Sequence, residues 1–464
     1  MKRDYLILLL CLLICSCVSG NKPRINSTLS IDIELAEADS TDGINPFACI
    51  MNVEQRIVVS NQQDDSISLN LVFPKSLPVN ELGVRKVRVL CGDSELPSSF
   101  ENDVLTFKTH SGQNEYILSY EVNASCFMSN GFGPNNCVVG DFYIYDHSSW
   151  YFTCPNMELS DASIKASDSL FVISSGIHSD NTELDKHYKP RHRLDVAALH
   201  KRFYKQINFE SNNCKCNLFL RNFPEDAIEL DTIFDKNKKY NADYFDSRVS
   251  YSQEHIESKV DHVKQCIQLA SSLFDSAPNT MNIIECLWGN ETYGGGQAIS
   301  PKLVVVDTVF LSKNDWSMLH EIIHTCDNVD YHLICQDSSL FFFSESMIEY
   351  LTRYLITSEI DNDYHPSWDI NDDNTENDES QSIFNIEHNN SESQYIIYAY
   401  TPYAIEKFAK KIGEQKFVEL YKDFHKECWE KQELSFDQFI RFYRKKGIPQ
   451  NDLDDFITSL SIGY

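Results

Sequence analysis

From Trp316 to His324 the chain reads Trp-Ser-Met-Leu-His-Glu-Ile-Ile-His, and no other stretch limits so tightly what it can fold into. Four residues advance a helix by about one turn, so His320 and His324 leave the same face with Glu321 beside them. Leu319, Ile322 and Ile323 fill the rest of the turn, which asks for a buried helix that carries two imidazoles and a carboxylate. Buried polar groups are costly unless they find partners. The two imidazoles are spaced to grip one metal ion, and the fold must then bring up a second element to complete the cluster. An ordinary amphipathic helix is the competing reading, so the flanking sequence has to decide.

The next long helical stretch, Ser338 to Ser358, supplies what is missing. Its apolar background is broken on one face by Glu345 and Glu349, one turn apart. Two histidines from one helix and a carboxylate from another, with a fourth position left to water, make the ligand set of a catalytic zinc site. One zinc ion per chain is expected on His320, His324 and Glu345. Glu349 is expected to accept from the other ring nitrogen of His320 and orient it. The alternative for the pair is two glutamates on a solvated helix face.

With these residues in place, the chain resembles the gluzincin metallopeptidases, the clan of thermolysin and aminopeptidase N. The resemblance implies that His320 and His324 are ligands and Glu321 the general base. Phe343-Ser344-Glu345-Ser346-Met347 is similar to the Leu-Asn-Glu-Gly-Phe pattern around the glutamate ligand of aminopeptidases. The gap from His324 to Glu345, slightly longer than is usual in the clan, holds Cys326 and Cys335, and a disulfide-tied excursion would absorb it. Upstream, Tyr293-Gly294-Gly295-Gly296-Gln297-Ala298, followed by the apolar run from Lys302 to Asp307, resembles the Gly-x-Met-Glu-Asn strand that lines the substrate cleft. Gly294, Gly295, Gly296, Gln297 and Ala298 are accordingly expected to bind substrate through their main chain. The family glutamate that holds a free amino terminus is here Gln297, a departure that bears directly on aminopeptidase specificity. Downstream, the resemblance implies a tyrosine that stabilises the oxyanion; counting back from Gly413-Glu414 points to Tyr398, with Tyr400 as the close alternative. The Lys-Gly that usually follows this tyrosine is missing, and aromatic core packing competes for both residues.

The expected reaction is zinc-dependent peptide hydrolysis by an activated water, with Glu321 taking its proton. Exopeptidase and endopeptidase action both stay open. The competing function is a surface lipoprotein that binds peptides or glycans on a zincin-like scaffold without catalysis. The intact set of His320, Glu321, His324 and Glu345 argues against it.

The remaining chain frames this centre. Met1-Lys2-Arg3 and the apolar run from Leu6 to Ile14 form an export signal over residues 1–20, too short to span a membrane comfortably. Ile14-Cys15-Ser16-Cys17 resembles a bacterial lipobox, which implies lipidation at Cys17 and anchoring to the outer membrane or cell envelope; ordinary cleavage near Gly20 would give a secreted protein instead. A net charge of -29 excludes nucleic acid as a partner and leaves peptide or protein substrates. Export permits disulfides, and Cys126 with Cys137 or Cys326 with Cys335 are candidate local pairs. Cys214-Lys215-Cys216 lacks the spacing of a zinc knuckle. Short apolar runs separated by turn residues, such as Arg56 to Ser60, Ile67 to Phe73, Val84 to Leu90 and Tyr116 to Val122, predict an antiparallel β domain over 21–247.

A zincin domain is expected over 248–464, entered by a helix at Glu254 to Phe274 and a strand at Met281 to Leu287. It carries a mobile acidic insertion at about 361–390, a stretch without Lys or Arg. Four helices between Ala404 and Leu460 complete it. The fold class is α+β: a β-rich N-terminal domain followed by a thermolysin-like zincin domain with a helical C-terminal half.

Overall fold

The computed structural model describes residues 25–35, 49–61, 64–71, 84–123, 141–143, 151–154, 157–174, 177–178, 185–189, 194, 196–201, 204–222, 251–274, 278–286, 296–300, 302–307, 311, 316–327, 331–335, 337–361, 381–386 and 391–462. The export signal, Cys17, Cys126, Cys137, Gly294 and Gly295 lie outside the described residues. The chain divides into two compact units, one built from Met1–Lys205, Leu220–Ser250 and Cys286–Glu291, the other from Gln206–Phe219, Tyr251–Glu285 and Thr292–Tyr464. The division near 247–248 is thus not a single cut, because Gln206–Phe219 clusters with the second unit.

The first unit is all β among its described residues. The centre of its eight-stranded sheet is formed by β1 (Ile25–Leu35), β2 (Cys49–Asn61), β3 (Gly112–Asn123) and β4 (Met157–Ala166), in the order β4-β1-β2-β3. Alternate residues of these strands, Ile25, Leu29, Ile31, Ile33, Met51, Val53, Ile57, Val59, Tyr116, Leu118, Tyr120 and Val122, turn inward and are buried together. Gln55 is fully buried among them, and it is satisfied: its amide donates to Ser27 Oγ at 2.9 Å and to the Phe152 carbonyl at 2.7 Å, and its Oε1 accepts from the Phe152 N–H at 2.9 Å. The expectation of a wholly antiparallel domain is corrected at one place, since β1 and β4 run parallel. A parallel pair needs a long connection, which the 121 residues at 36–156 supply, and periodicity within a strand does not encode the direction of its neighbour.

The second unit is built on a five-stranded sheet of β5 (Tyr204–Ser211), β6 (Cys214–Arg221), β7 (Thr280–Cys286), β8 (Gly296–Ser300) and β9 (Leu303–Asp307), in the order β5-β6-β7-β9-β8. Helix α1 (Gln253–Phe274) buries Ile256, Val260, Val263, Ile267 and Ala270 and packs on α2 (Ser317–Asp327). A short turn, α3 (Tyr331–Ile334), leads to a π-helical turn at Phe342–Ser346 that continues as α4 (Met347–Glu359). A second π turn at Ile396–Tyr400 follows α5 (Ser391–Tyr395) and continues as α6 (Thr401–Ile412), and α7 (Glu414–Lys431), α8 (Phe436–Lys445) and α9 (Gln450–Ser459) close the unit.

One expectation fails here. Cys326 and Cys335 do not form a disulfide with each other: α2 stays helical through Asp327, which sets Cys326 Sγ 4.0 Å from Ser271 Oγ of α1, while Cys335 donates to the Asp337 carbonyl at 3.6 Å. Most of the expected acidic insertion, residues 362–380 and 387–390, lies outside the described residues; its described part at 381–386 packs into the second unit. Gln381–Ser382 pairs antiparallel with Ser461–Ile462, Ile383 is 1% exposed, and the Phe384 ring lies 4.7 Å from Phe436 and 6.4 Å from Phe342. Two apolar residues in a polar stretch suffice when a formed aromatic core is within reach. Among the described residues no helix is long and apolar enough to cross a membrane.

Candidate active site

Helix α2 enters the second unit buried on almost every side, with Met318, Leu319, Ile322 and Ile323 fully covered. His320 and Glu321 share that burial at 8% exposure each. His320 Nδ1 lies 3.0 Å from Glu349 Oε2, and the other oxygen of Glu349 accepts from Arg353 Nε at 2.6 Å. This contact engages Nδ1 and leaves Nε2 of His320 facing the centre. There it stands 3.1 Å from His324 Nε2 and 3.5 Å from Glu345 Oε2, while His324 Nε2 to Glu345 Oε2 is 3.7 Å.

These three donor atoms form a triangle that fits a metal ion. A tetrahedral zinc with ligand bonds of about 2.0–2.1 Å has an edge of about 3.3 Å between ligand atoms. The observed edges of 3.1, 3.5 and 3.7 Å bracket that value. Among the described residues it is the one group of three or more His, Cys, Asp or Glu side chains whose atoms converge closely enough to hold an ion. Cys214 and Cys216, with Sγ atoms 3.7 Å apart on β6, belong to no such group.

Both partners of α2 are placed by π turns. In the turn at Phe342–Ser346 the Met347 N–H reaches the carbonyl of Phe342, five residues back, and the widened turn carries Glu345. In the turn at Ile396–Tyr400 the Thr401 N–H bonds the Ile396 carbonyl in the same way, and the turn carries Tyr398. Single π turns inside α-helices recur at functional positions because one extra residue rotates the flanking side chains onto a new face. The Tyr398 hydroxyl donates to Glu345 Oε2 at 3.0 Å, and its ring centroid is 6.2 Å from that of His320. Tyr400, two residues on, faces elsewhere: its electrostatic neighbours are Lys407 and Tyr403. Strand β8 contributes from the other side, where the Ala298 N–H donates to Glu321 Oε2 at 2.7 Å. Gly296 and the backbone of Gln297 lie on the same strand.

Burial and charge separate the three glutamates. Burial pushes Glu321 up from the ordinary carboxylate value of 4.5, against the opposing charges of His320 and His324. Burial also acts upward on Glu345 and Glu349, but it loses there: the charge of His324 and the hydrogen bond from His320 hold Glu345 far below 4.5, and His320 with Arg353 lowers Glu349. Burial works to lower His320 but is overridden by the bonds to Glu345 and Glu349 and the charge of Glu321, which together raise it to about 10. Tyr398 is 39% exposed as a residue, yet desolvation of the hydroxyl and the charges of Glu345 and Glu321 raise its pKa well above 10, so it stays a hydrogen-bond donor. Divergent pKa values within one cluster assign distinct roles to similar groups. Glu345 and Glu349 are held as anions, and Glu321 is the carboxylate that binds a proton most readily.

Of the residues singled out by sequence, His320, Glu321, His324, Glu345, Glu349, Tyr398 and Ala298 come together, and Tyr400 does not. Sequence reasoning missed Arg353, which follows Glu349 by one turn and was readable from that spacing. It also missed Asp327, fully buried at the end of α2, where it accepts hydrogen bonds from Tyr331 and His425. The spacing of seven from His320 places Asp327 on the same helix face, a signal present in the sequence.

No protein-family model matches the sequence, and no curated protein matches it by sequence. Solved structures do share the fold. An M1 zinc metallopeptidase from Deinococcus radiodurans matches with a TM-score of 0.56 at 11% identity, covering 95% of this chain and 94% of that one. An aminopeptidase N family protein from Idiomarina loihiensis matches at 0.61 and 13% identity over 94% of this chain and 76% of its own. Yeast LTA4 hydrolase matches at 0.54 and 13% identity over 94% and 67%. The chain therefore has the mixed α and β fold of M1 zinc metallopeptidases, with a His-His-Glu cluster able to hold a metal.

Proposed function

We propose that the protein is a zinc metallopeptidase that hydrolyses peptide bonds. The observation that carries this reading is the donor triangle of His320, His324 and Glu345 at the spacing of a tetrahedral ion, with the Glu321 carboxylate beside it. Zinc, when held there, supplies a Lewis acid that acidifies water and polarises the scissile carbonyl. The remaining work falls to side chains and backbone. Glu321, fixed by the Ala298 N–H, takes the proton of the attacking water and hands it to the leaving amine. Tyr398 turns its hydroxyl from Glu345 to the developing oxyanion and donates there. Glu349 and Arg353 keep the His320 ring oriented.

Strand β8 lies at the edge of its sheet among the described residues, where an extended peptide can align by main-chain hydrogen bonds. A variant of the Deinococcus enzyme was solved with a Tyr-Ser-Ala substrate, which supports a peptide as the ligand class here. Where the aminopeptidase pattern has the glutamate that holds a free amino terminus, the sequence has Gln297, so we assign binding along a chain and internal cleavage. We also propose that the protein works outside the cytoplasm, anchored through a lipid on Cys17; incorporation of a palmitate analogue that is lost in Cys17→Ser tests this.

The test of the activity is mass spectrometry of products from a mixed peptide library with free and with acetylated N-termini, using purified protein lacking its first 20 residues and the Glu321→Gln variant as control. Glu321-dependent internal cuts in both sets are expected. Stepwise removal of N-terminal residues from free peptides alone would replace internal cleavage by aminopeptidase action. Absence of any Glu321-dependent cleavage with zinc bound would overturn the peptidase reading.

A further inference from the structure

Ser346 is the last residue of the first π turn and reaches across to the second. It is fully buried, and its Oγ donates to the carbonyl of Ile397 at 2.7 Å. That carbonyl has a problem that the backbone cannot solve. In an α-helix it would accept from the N–H of Thr401, four residues on, but the π turn directs that N–H to Ile396. Its partner in a π pattern would be residue 402, which is Pro402 and has no N–H. Ile397 is itself 2% exposed, and a buried carbonyl left without a donor is costly. The Ser346 hydroxyl fills the gap left by π geometry and proline together.

The position of this bond gives it a role beyond stability. Ser346 directly follows Glu345, and Ile397 directly precedes Tyr398, so one hydrogen bond couples the backbone that carries the carboxylate to the backbone that carries the phenol. The hydroxyl of Tyr398 meets Glu345 Oε2 at 3.0 Å across the same junction. Ser346 also stands where the aminopeptidase pattern has glycine, a residue that could not make this bond. We infer that Ser346 is a positioning residue, which holds the Tyr398 turn in register with the Glu345 turn so that the phenol hydroxyl points at the reacting carbonyl. This rests on the peptidase reading for its effect on turnover, but the junction itself can be tested without it.

Two readouts on four proteins decide the matter: wild type, Ser346→Ala, Pro402→Ala and the double variant. Alanine at 402 restores an N–H that can reach the Ile397 carbonyl in the π pattern. On the zinc-loaded proteins, Ser346→Ala is expected to lower kcat by about 10- to 100-fold with KM within about twofold, the size of effect of a misplaced oxyanion donor and smaller than the about 10²- to 10³-fold of a lost one. Adding Pro402→Ala should recover most of it. Hydrogen exchange of the amides over 396–403 in the metal-free proteins should quicken about tenfold in Ser346→Ala and return toward wild type in the double variant. Unchanged kcat in Ser346→Ala, or no recovery in a folded double variant, would overturn the positioning role. If the wild type cleaves no peptide, the peptidase reading fails alone, and the exchange measurement still decides: unchanged exchange in Ser346→Ala sinks the junction as well.

Discussion

Glu349 is the most informative side chain to remove, because it touches a ligand without being one. Its carboxylate makes two charge-assisted contacts, 3.0 Å to His320 Nδ1 and 2.6 Å to Arg353 Nε, and it is held as an anion by both. Replacing it with alanine frees the His320 ring to rotate and to place its proton on either nitrogen. In the metal-loaded protein the lost contact also makes Nε2 a weaker base. Groups in this position contribute about 10- to 100-fold to metal affinity, or about 1.4–2.7 kcal/mol. The lower half of that range is expected for Glu349→Gln, whose side-chain carbonyl can still accept from Nδ1 but carries no charge. The assay is competition for zinc against a chromophoric chelator at fixed pH, on protein whose folding is checked by circular dichroism. Glu359, exposed at the end of the same helix, is the control, and Glu359→Ala should leave affinity unchanged. A zinc Kd for Glu349→Ala within twofold of wild type would refute the argument that this carboxylate orients the ligand.

Other outcomes follow from the same geometry. Tyr398→Phe should lower kcat by about 10²- to 10³-fold while retaining zinc, whereas Tyr400→Phe should change it less than about threefold; equal effects in a steady-state peptidase assay would undo the assignment of the oxyanion donor. Zinc affinity should rise with pH. His320 in the metal-free protein holds its proton up to about pH 10 rather than 6.5, and a metal on Nε2 must displace that proton, so between those values affinity gains about tenfold per pH unit. A flat profile from pH 7 to 9 would contradict it. Ile383→Ala should cost about 2–5 kcal/mol in urea unfolding, because the residue is 1% exposed beneath the pairing of 381–382 with 461–462; a cost below about 0.5 kcal/mol would mean that the end of the insertion is not fastened.

What could be read in the amino acids depended on whether the signal was local. Histidines four apart and carboxylates four apart on the following helix mark their own faces, so His320, His324, Glu345 and Glu349 could be placed before any fold was known. The helix expected at Glu254 to Phe274 from apolar spacing is found at Gln253–Phe274. The Ala298 N–H that fixes Glu321 left no trace, because every residue but proline has that donor. The π turns were silent too: they add one residue to a turn without changing the residue types, yet they decide that Tyr398 and not Tyr400 meets the centre. Long-range pairing was equally hidden, which is why the parallel β1–β4 pair and the seating of Phe384 against Phe436 emerge only from the fold.

The edge position of β8 has a further consequence, for colloidal behaviour. Among the described residues β8 ends its sheet, and a strand edge that aligns an extended peptide, as we propose, cannot tell a substrate from the same strand of a neighbouring molecule; such edges are templates for self-association. Two features of this chain work against that outcome. The strand is only five residues long, and each molecule carries a net charge of -29, so that two copies brought edge to edge repel one another while a short neutral peptide does not. That acidity thus acts as a gate on the strand edge, one that salt would weaken and that would make the protein prone to cluster near its pI of about 4.8.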